Sequence, residues 1–350
     1  MFKSVEISNF RAITNLKIDN LAQVNLLVGQ NNCGKTTILE AIFFLVGATN
    51  PQLPAVTNSL RGLPFLSKEL WLTFFHNFEV KLPIEIEAEL CESDEKQKLL
   101  INPFKRKKLP TTPVASDIIS LEPKALEFKT QLELDGLELK YYSSKQTIPS
   151  TSTIFLDGIQ LAIEGAKESS TKGIFLTGSQ GYDWRGRFGM IQRKKQVEQV
   201  VSFLQEIDPT IQKLSLNEIG VVEADIGLPT LVPVNLMGGG IAKVLSVILA
   251  SFEAQNGILL IDEIENGLHY SAQETIWKAV FSLAQKLNVQ VFATTHSREC
   301  IAAFKNSAHP NLFASEPKLY RIERKGEPFR TVEYTSGILA ESLDSNWEVR

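Results

Sequence analysis

Nine residues near the start of the chain, Gly29-Gln30-Asn31-Asn32-Cys33-Gly34-Lys35-Thr36-Thr37, carry the pattern G-x-x-x-x-G-K-[ST]. Those residue types at that spacing suit one task, the cradling of a polyphosphate. Gly29 and Gly34 let the backbone wrap closely enough for N–H groups to converge on one anion, across Asn31, Asn32, Cys33 and Thr37 as well. A helix starting at the end of the loop adds the partial positive charge of its N-terminus. Lys35 has the reach for β- and γ-phosphates, and Thr36 offers a hydroxyl to Mg²⁺. The flanks are those the loop needs. Val24 to Val28 is a short apolar run that reads as a buried strand. Thr36 to Val46 is apolar nearly all round, a helix buried on most sides, and Gly47 supplies its stop.

A second candidate group lies far along the chain. Ile258-Leu259-Leu260-Ile261-Asp262-Glu263 is four apolar residues followed by two acids. Asp262 at the carboxyl end of such a strand suits Mg²⁺, and Glu263 suits the orientation or deprotonation of an attacking water. Thr294-Thr295-His296-Ser297 follows the next expected strand, and a histidine there can donate to a phosphate or its water.

The elements that must position these groups follow from the patterning. Val5 and Ile7, then Ile13, Leu16 and Ile18, bracket Asn9-Phe10-Arg11 and predict an antiparallel strand pair. Residues 48–68, rich in Pro, Thr, Asn and Gly, read as a loop with at most short helical turns. Glu79 to Leu90 alternates at period two, as does Lys129 to Tyr141, with Asp135-Gly136 as its hairpin turn. An exposed insertion carrying Lys105-Arg106-Lys107-Lys108 is expected between them. Helices are expected over 193–207, 241–252 and 270–287, with short strands and turns over 211–234. Strands at 258–261 and 289–294, a closing hairpin at 319–334 and a short helix near Leu343 complete the set. No internal repeat and no sustained heptad is present.

Together these residues resemble the ABC-type ATPase heads of the SMC and DNA-repair group, and within it the OLD-like AAA-type ATPases. The resemblance rests on I-S-N-F-R-A-I, G-Q-N-N-C-G-K-T, I-D-E-I-E-N-G-L-H, A-T-T-H-S and the closing W-E-V-R, and so spans the chain. It implies an α/β fold: an ABC-type P-loop NTPase head with a strand-rich antiparallel lobe and a helix-rich lobe. The implied parts are a P-loop segment (1–50), a strand-rich lobe (51–150, insertion at 91–126), a helical lobe (151–240), a Walker B and switch segment (241–305) and a C-terminal hairpin and helix (306–350). It assigns ATP and Mg²⁺ as cofactors, Asp262 and Glu263 as the Walker B pair, Asn266 to His269 as the D-loop and His296 as the switch histidine. Gly238, Gly239 and Gly240, before the helix at Ile241, stand where the family has a Ser-Gly-Gly signature loop; Met237 supplies no serine hydroxyl. No Q-loop glutamine is assigned.

Full OLD proteins carry a C-terminal Toprim nuclease domain, which the chain ends before. The expected partners are therefore a second copy, closing head to tail over two ATP molecules, and a separate effector such as a Toprim-type nuclease in anti-phage defence. One rival is a repair or chromosome-type head acting directly on DNA; another is a nucleotide-gated scaffold with little hydrolysis.

The whole-chain balance sets further bounds. With 350 residues, 43% hydrophobic and 22% charged, the chain has enough apolar material for a real core. A net charge of −4 provides no global attraction to nucleic acid or anionic membrane, so DNA or RNA would need a local patch such as Arg185, Arg187 and Arg193-Lys194-Lys195. Such residues read more simply as solvated faces. No apolar run reaches spanning length. Three scattered cysteines (Cys33, Cys91, Cys300) fit a reduced cytoplasm. Trp71, Phe74, Phe75 and Phe78 are expected in a core.

Overall fold

The computed structural model describes residues 1–63, 67–91, 95–106, 134–158, 160–165, 171–177, 184–308, 316–324 and 329–344. β1 (Phe2–Phe10) and β2 (Ile13–Ile18) pair antiparallel, with Phe10 opposite Ile13. Their connection is tight because Asn9 and Arg11 both take left-handed φ, at 58° and 51°. The other edge of β1 receives β4 (Ile84–Leu90), followed by β5 (Lys96–Phe104), β6 (Gly136–Ser143), β7 (Ser150–Asp157) and β8 (Gln160–Glu164). All seven strands run antiparallel to their neighbours. The outward glutamates of β4 meet lysines of β5: Lys98 bridges Glu85 and Glu87, and Lys96 pairs with Glu89. Such surface pairs contribute little stability but disfavour a slipped register.

The second sheet is parallel, in the order β15 (Lys318–Glu323), β3 (Val24–Val28), β14 (Gln290–Thr294), β13 (Ile258–Ile261) and β9 (Gly173–Leu176). An antiparallel edge strand, β16 (Arg330–Tyr334), closes it beside β15. α1 (Lys35–Val46) lies between the two sheets and touches β1, β4 and β5 on one side and β9, β13 and β14 on the other. Both of its faces are therefore dry, which is why its sequence has no polar stripe.

The parallel strands sort their side chains by twos. Leu27, Ile258, Leu260 and Phe292 join the core around α1. Val24, Leu26, Val28, Leu259 and Ile261 face a helical layer. That layer holds α3 (Trp184–Arg193), α4 (Val197–Gln205), α5 (Gly239–Glu253), α6 (Gln273–Lys286), α7 (Arg298–Ser307) and α8 (Ser336–Asp344). A small sheet, β10 (Lys213–Leu216), β11 (Val222–Asp225) and β12 (Val232–Pro233), packs with it through Leu214, Val222 and Ala224.

Several sequence expectations need correction. Residues 48–68 contain a helix, α2 (Leu53–Leu60), with Pro54 in its first turn, where a missing N–H breaks no bond. The segment read as an insertion at 91–126 begins with β5, an interior strand; Lys107 and Lys108 lie outside the described residues. Asp135-Gly136 is no hairpin turn. Gly136 opens β6 between Phe104 and Phe155, where a Cβ would meet the Ile154 carbonyl; 129–133 lie outside the described residues. β7, β8 and β9 occupy residues assigned to a helical lobe from 151, and among the described residues of that stretch the first helix is α3, from Trp184. The helix expected over 193–207 is α4, which starts only at Val197 because the chain turns at Lys195, with φ 57°, after Arg193 ends α3. α7 has no counterpart among the elements the patterning predicts. The closing W-E-V-R lies outside the described residues.

Candidate functional site

Register brings the candidate residues together. Leu27 of β3 sits beside Thr294 of β14, Ala293 beside Ile261 of β13, and Ile261 beside Leu176 of β9. The loops that leave these strands thus emerge side by side at the carboxyl edge, the crevice where parallel sheets take ligands. They are the glycine loop, Asp262-Glu263, Thr295-His296 and Thr177.

The glycine loop is built for close approach. Gly29 has φ 145°, and a Cβ there would lie 2.6 Å from the Ile322 carbonyl oxygen and 2.7 Å from Cys33 Sγ. Gly34, at φ 92°, turns the chain directly into α1. Asn32 takes φ 63°, which asparagine tolerates better than most residues. Lys35 lies over the loop and donates to the carbonyls of Gly29 (2.8 Å) and Gln30 (3.0 Å), with Cys33 Sγ at 3.7 Å. Burial lowers its pKa, partly opposed by Cys33, Asp262 and Glu263. Those two carbonyls hold the ammonium across the loop.

Thr36 Oγ1 donates to Asp262 Oδ2 at 2.9 Å, and Thr294 Oγ1 donates to Asp262 Oδ1 at 2.6 Å. The carboxylate is held from both sides, and the Glu263 N–H donates to the same Thr294 hydroxyl at 2.8 Å. Glu263 itself takes φ 50°, a costly conformation for a non-glycine residue that aims its side chain into the cleft. His296 Nε2 stands 3.7 Å from Glu263 Oε1, and Asn266 donates to Glu263 Oε2. The His296 N–H donates to Glu265 Oε1 at 2.7 Å.

A cleft of about 1010 Å³ runs from this cluster outward, lined by Asn31, Asn32, Gly34, Lys35, Thr36, Thr37, Glu263 and His296. A smaller one of about 230 Å³ reaches Asp262 from the other side, past Thr177. Three further cations, Arg11, Arg61 and Arg324, line the large cleft, and the motif reading gave none of them a place in the site. Arg11 and Arg61 both pair with the buried Glu40 of α1, at 2.7 and 2.6 Å. Burial pushes the Arg11 guanidinium down to about 10, so it stays charged at neutral pH. A buried glutamate within an otherwise apolar helix was the available signal.

Gly238 and Gly240 line neither cleft. They open α5, with Gly238 at φ 102° and no heavy atom within 4 Å of where its Cβ would be. Next to them Leu236 is 76% exposed. At the end of the expected D-loop, His269 lies against the exposed Tyr270, with ring centroids 4.2 Å apart and planes tilted by 42°. Phe78, expected in a core, is 43% exposed at the cleft rim, whereas Trp71, Phe74 and Phe75 are buried. Of the basic residues, Arg187 pairs with Glu253 and Arg106 with Asp157. Among the described residues no helix is long and apolar enough to cross a membrane.

Comparison with known proteins agrees with this geometry. The chain is 26% identical over 354 residues to an ATP/GTP phosphatase of Helicobacter pylori, with 93% of each chain covered. In fold it is similar to the SMC head domain from Thermotoga maritima, at TM-score 0.51 and 12% identity over 95% of this chain and 99% of that one. An SMC head bound to the C-winged helix domain of ScpA gives TM-score 0.50 at 12% identity, covering 95% and 98%. The fold is thus that of an SMC-like, ABC-type ATPase head. The AAA ATPase domain model matches residues 1–172 and 186–301, and the chain belongs to that family of ATPases.

Proposed function

We propose that this ATPase hydrolyses ATP with Mg²⁺ in a head-to-tail homodimer, and that the cycle governs a separate effector, of Toprim nuclease type, in anti-phage defence. One observation carries the hydrolytic part: the Asp262 carboxylate held between Thr36 and Thr294, with Glu263 and His296 beside it at the mouth of the phosphate loop. Hydroxyl and carboxylate oxygens are the hard donors that Mg²⁺ prefers, so Thr36 and Asp262 fit as its protein ligands. The ion, when bound, neutralises charge on the β- and γ-phosphates.

In this reading Gly29 to Thr37 bind the phosphates, and Lys35 leaves the loop carbonyls to meet them. Glu263 orients a water toward the γ-phosphorus and takes its proton as the new P–O bond forms. The bond to the ADP oxygen breaks, and His296 hydrogen-bonds the departing phosphate. The dimer follows from the loop at Gly238 to Gly240, whose N–H groups at a helix start suit a phosphate that its own chain does not supply. The effector and its defence role are supported by the motif resemblance to OLD-like ATPases.

Two measurements test this. Turnover should require Mg²⁺ and fall to background in chelator; chelator-insensitive turnover would reject the Thr36–Asp262 site. Purification from the native host at low salt should bring down an effector chain, and recovery of this chain alone would reject the partner. Turnover accelerated by duplex DNA would instead support a head that acts on DNA directly.

A further inference from the structure

Threonine hydroxyls surround the carboxyl edge of the parallel sheet, and one differs from the rest. Thr36 and Thr294 donate to Asp262, and Thr295 accepts from the Ser297 N–H at 3.0 Å. Thr177 Oγ1 is buried and has no hydrogen-bond partner among the described residues. A hydroxyl that gives up water without gaining a partner is unfavourable, so it marks a place where another group belongs.

The strands fix where that hydroxyl sits. Leu176 of β9 lies beside Ile261 of β13, so Thr177 leaves its strand where Asp262 leaves the next, and the Asp262 N–H donates to the Leu176 carbonyl at 2.8 Å. Side chains alternate along a strand, and Phe175, two residues earlier, packs edge-on against Phe43 of α1 with ring centroids 5.7 Å apart. Thr177 continues that face. With Thr36, Phe175, Asp262, Glu263 and Asn266 it lines the cleft of about 230 Å³. That space has room for several waters and enough polar lining to hold them.

The chemistry of the lining says which water Thr177 suits. A carboxylate offers about four acceptor sites, and the two hydroxyls on Asp262 leave others open. Mg²⁺ dehydrates reluctantly and keeps several of its waters when bound. A water on a cation turns its hydrogens outward and needs acceptors for both. Asp262 supplies one, and the Thr177 hydroxyl oxygen supplies the other.

We propose that Thr177 is a positioning residue of the Mg²⁺ site: its Oγ1 accepts a hydrogen bond from a water of the ion's hydration shell, whose other hydrogen goes to Asp262. This inference deepens the reading above, in which Thr36 and Asp262 hold the ion beside ATP, and rests on it. It differs from a packing role, in which the Thr177 methyl fills space and its hydroxyl meets exchanging solvent.

The test uses the full chain with Thr177→Val, Thr177→Ser and Asp262→Asn. It reads melting temperature and ATP affinity in chelator, and the Mg²⁺ concentration that half-saturates the thermal shift given by ATP. Valine keeps the shape and removes only the unmatched hydroxyl, so the melting temperature in chelator should hold or rise. Half-saturating Mg²⁺ should increase about tenfold, as when a metal site loses an outer partner, with ATP affinity in chelator within about twofold of wild type. Thr177→Ser keeps the hydroxyl and should restore half-saturation to within about threefold. Unchanged half-saturation in Thr177→Val, a Thr177→Ser protein as impaired as Thr177→Val, or a parallel loss of melting temperature and ATP affinity in chelator would each overturn the proposal. Should Thr177→Val not fold, Thr177→Ala replaces it with the same outcomes, and if neither folds the residue is structural and the proposal fails. Failure of the underlying Mg²⁺ reading looks different: Asp262→Asn would then keep wild-type half-saturation, whatever Thr177→Val does.

Discussion

The chain holds two glycine loops before helices, and they differ in what surrounds them. At Gly29 the space is full: a methyl group would collide with the Ile322 carbonyl and with Cys33, and Lys35 is tied across the loop. At Gly238 the space is empty, and the neighbouring Leu236 projects into solvent. Both loops present helix N-terminal N–H groups. Among the described residues, acids, hydroxyls and cations of the same chain back the first. In the proposed dimer the first loop is one half-site, and the second is the complementary half that meets a ligand carried by the other copy.

Substitutions can break or sharpen that contrast. Lys35→Ala should have the largest effect, a loss of ATP affinity on the order of 100-fold from removing a charge-assisted partner of the phosphates. Melting temperature should hold, since burial already disfavours this ammonium. Unchanged nucleotide affinity by direct titration would remove the first loop's assignment.

Gly29→Ala comes next. Its φ of 145° and the close carbonyl should together cost about 1–3 kcal/mol of stability and weaken ATP binding about tenfold. Gly238→Ala shares the strained φ but not the collision, so it should cost about 1 kcal/mol or less and leave ATP affinity of the isolated chain within about twofold. Its turnover should nonetheless fall. Equal losses of ATP affinity at both glycines would erase the distinction between the loops.

The smallest expected effect is a gain. Met237→Ser restores a hydroxyl beside the open loop, and one added hydrogen bond is worth about 1 kcal/mol, so turnover or dimerisation should improve severalfold. If neither quantity moves, the backbone at Gly238 to Gly240 suffices for the contact.

Much of this arrangement was legible because its signals are local. The all-round apolar run of α1, the buried strands at Val24 and Ile258, and the acids after Ile261 each declare their place within a few residues. What escaped notice depends on contacts between distant segments. β5 carries Lys96, Lys98 and Pro103 and lacks clean alternation, yet it sits inside the sheet because β4 and β6 cover its edges. Arg11, the buried Glu40 and the exposed Arg61 form one cluster from three separate segments. The strand-rich stretch over 150–176 was masked by its serine and threonine content, which suits loops as well as strands.

The most direct test of the account is Glu263→Gln, measured for turnover, ATP affinity and mass by light scattering with ATP and Mg²⁺. Glutamine keeps the size of the side chain and its contact with water but cannot accept the proton. Loss of a positioned base typically lowers the rate by about 10²–10⁴. Asp262, Thr36 and Lys35 stay intact, so ATP affinity should change little. With cleavage blocked, ATP should hold two copies together, and the dimeric fraction should exceed that of the wild-type chain. Unaltered turnover would contradict the role of Glu263, and slowed turnover with no ATP-dependent association would contradict the head-to-tail dimer.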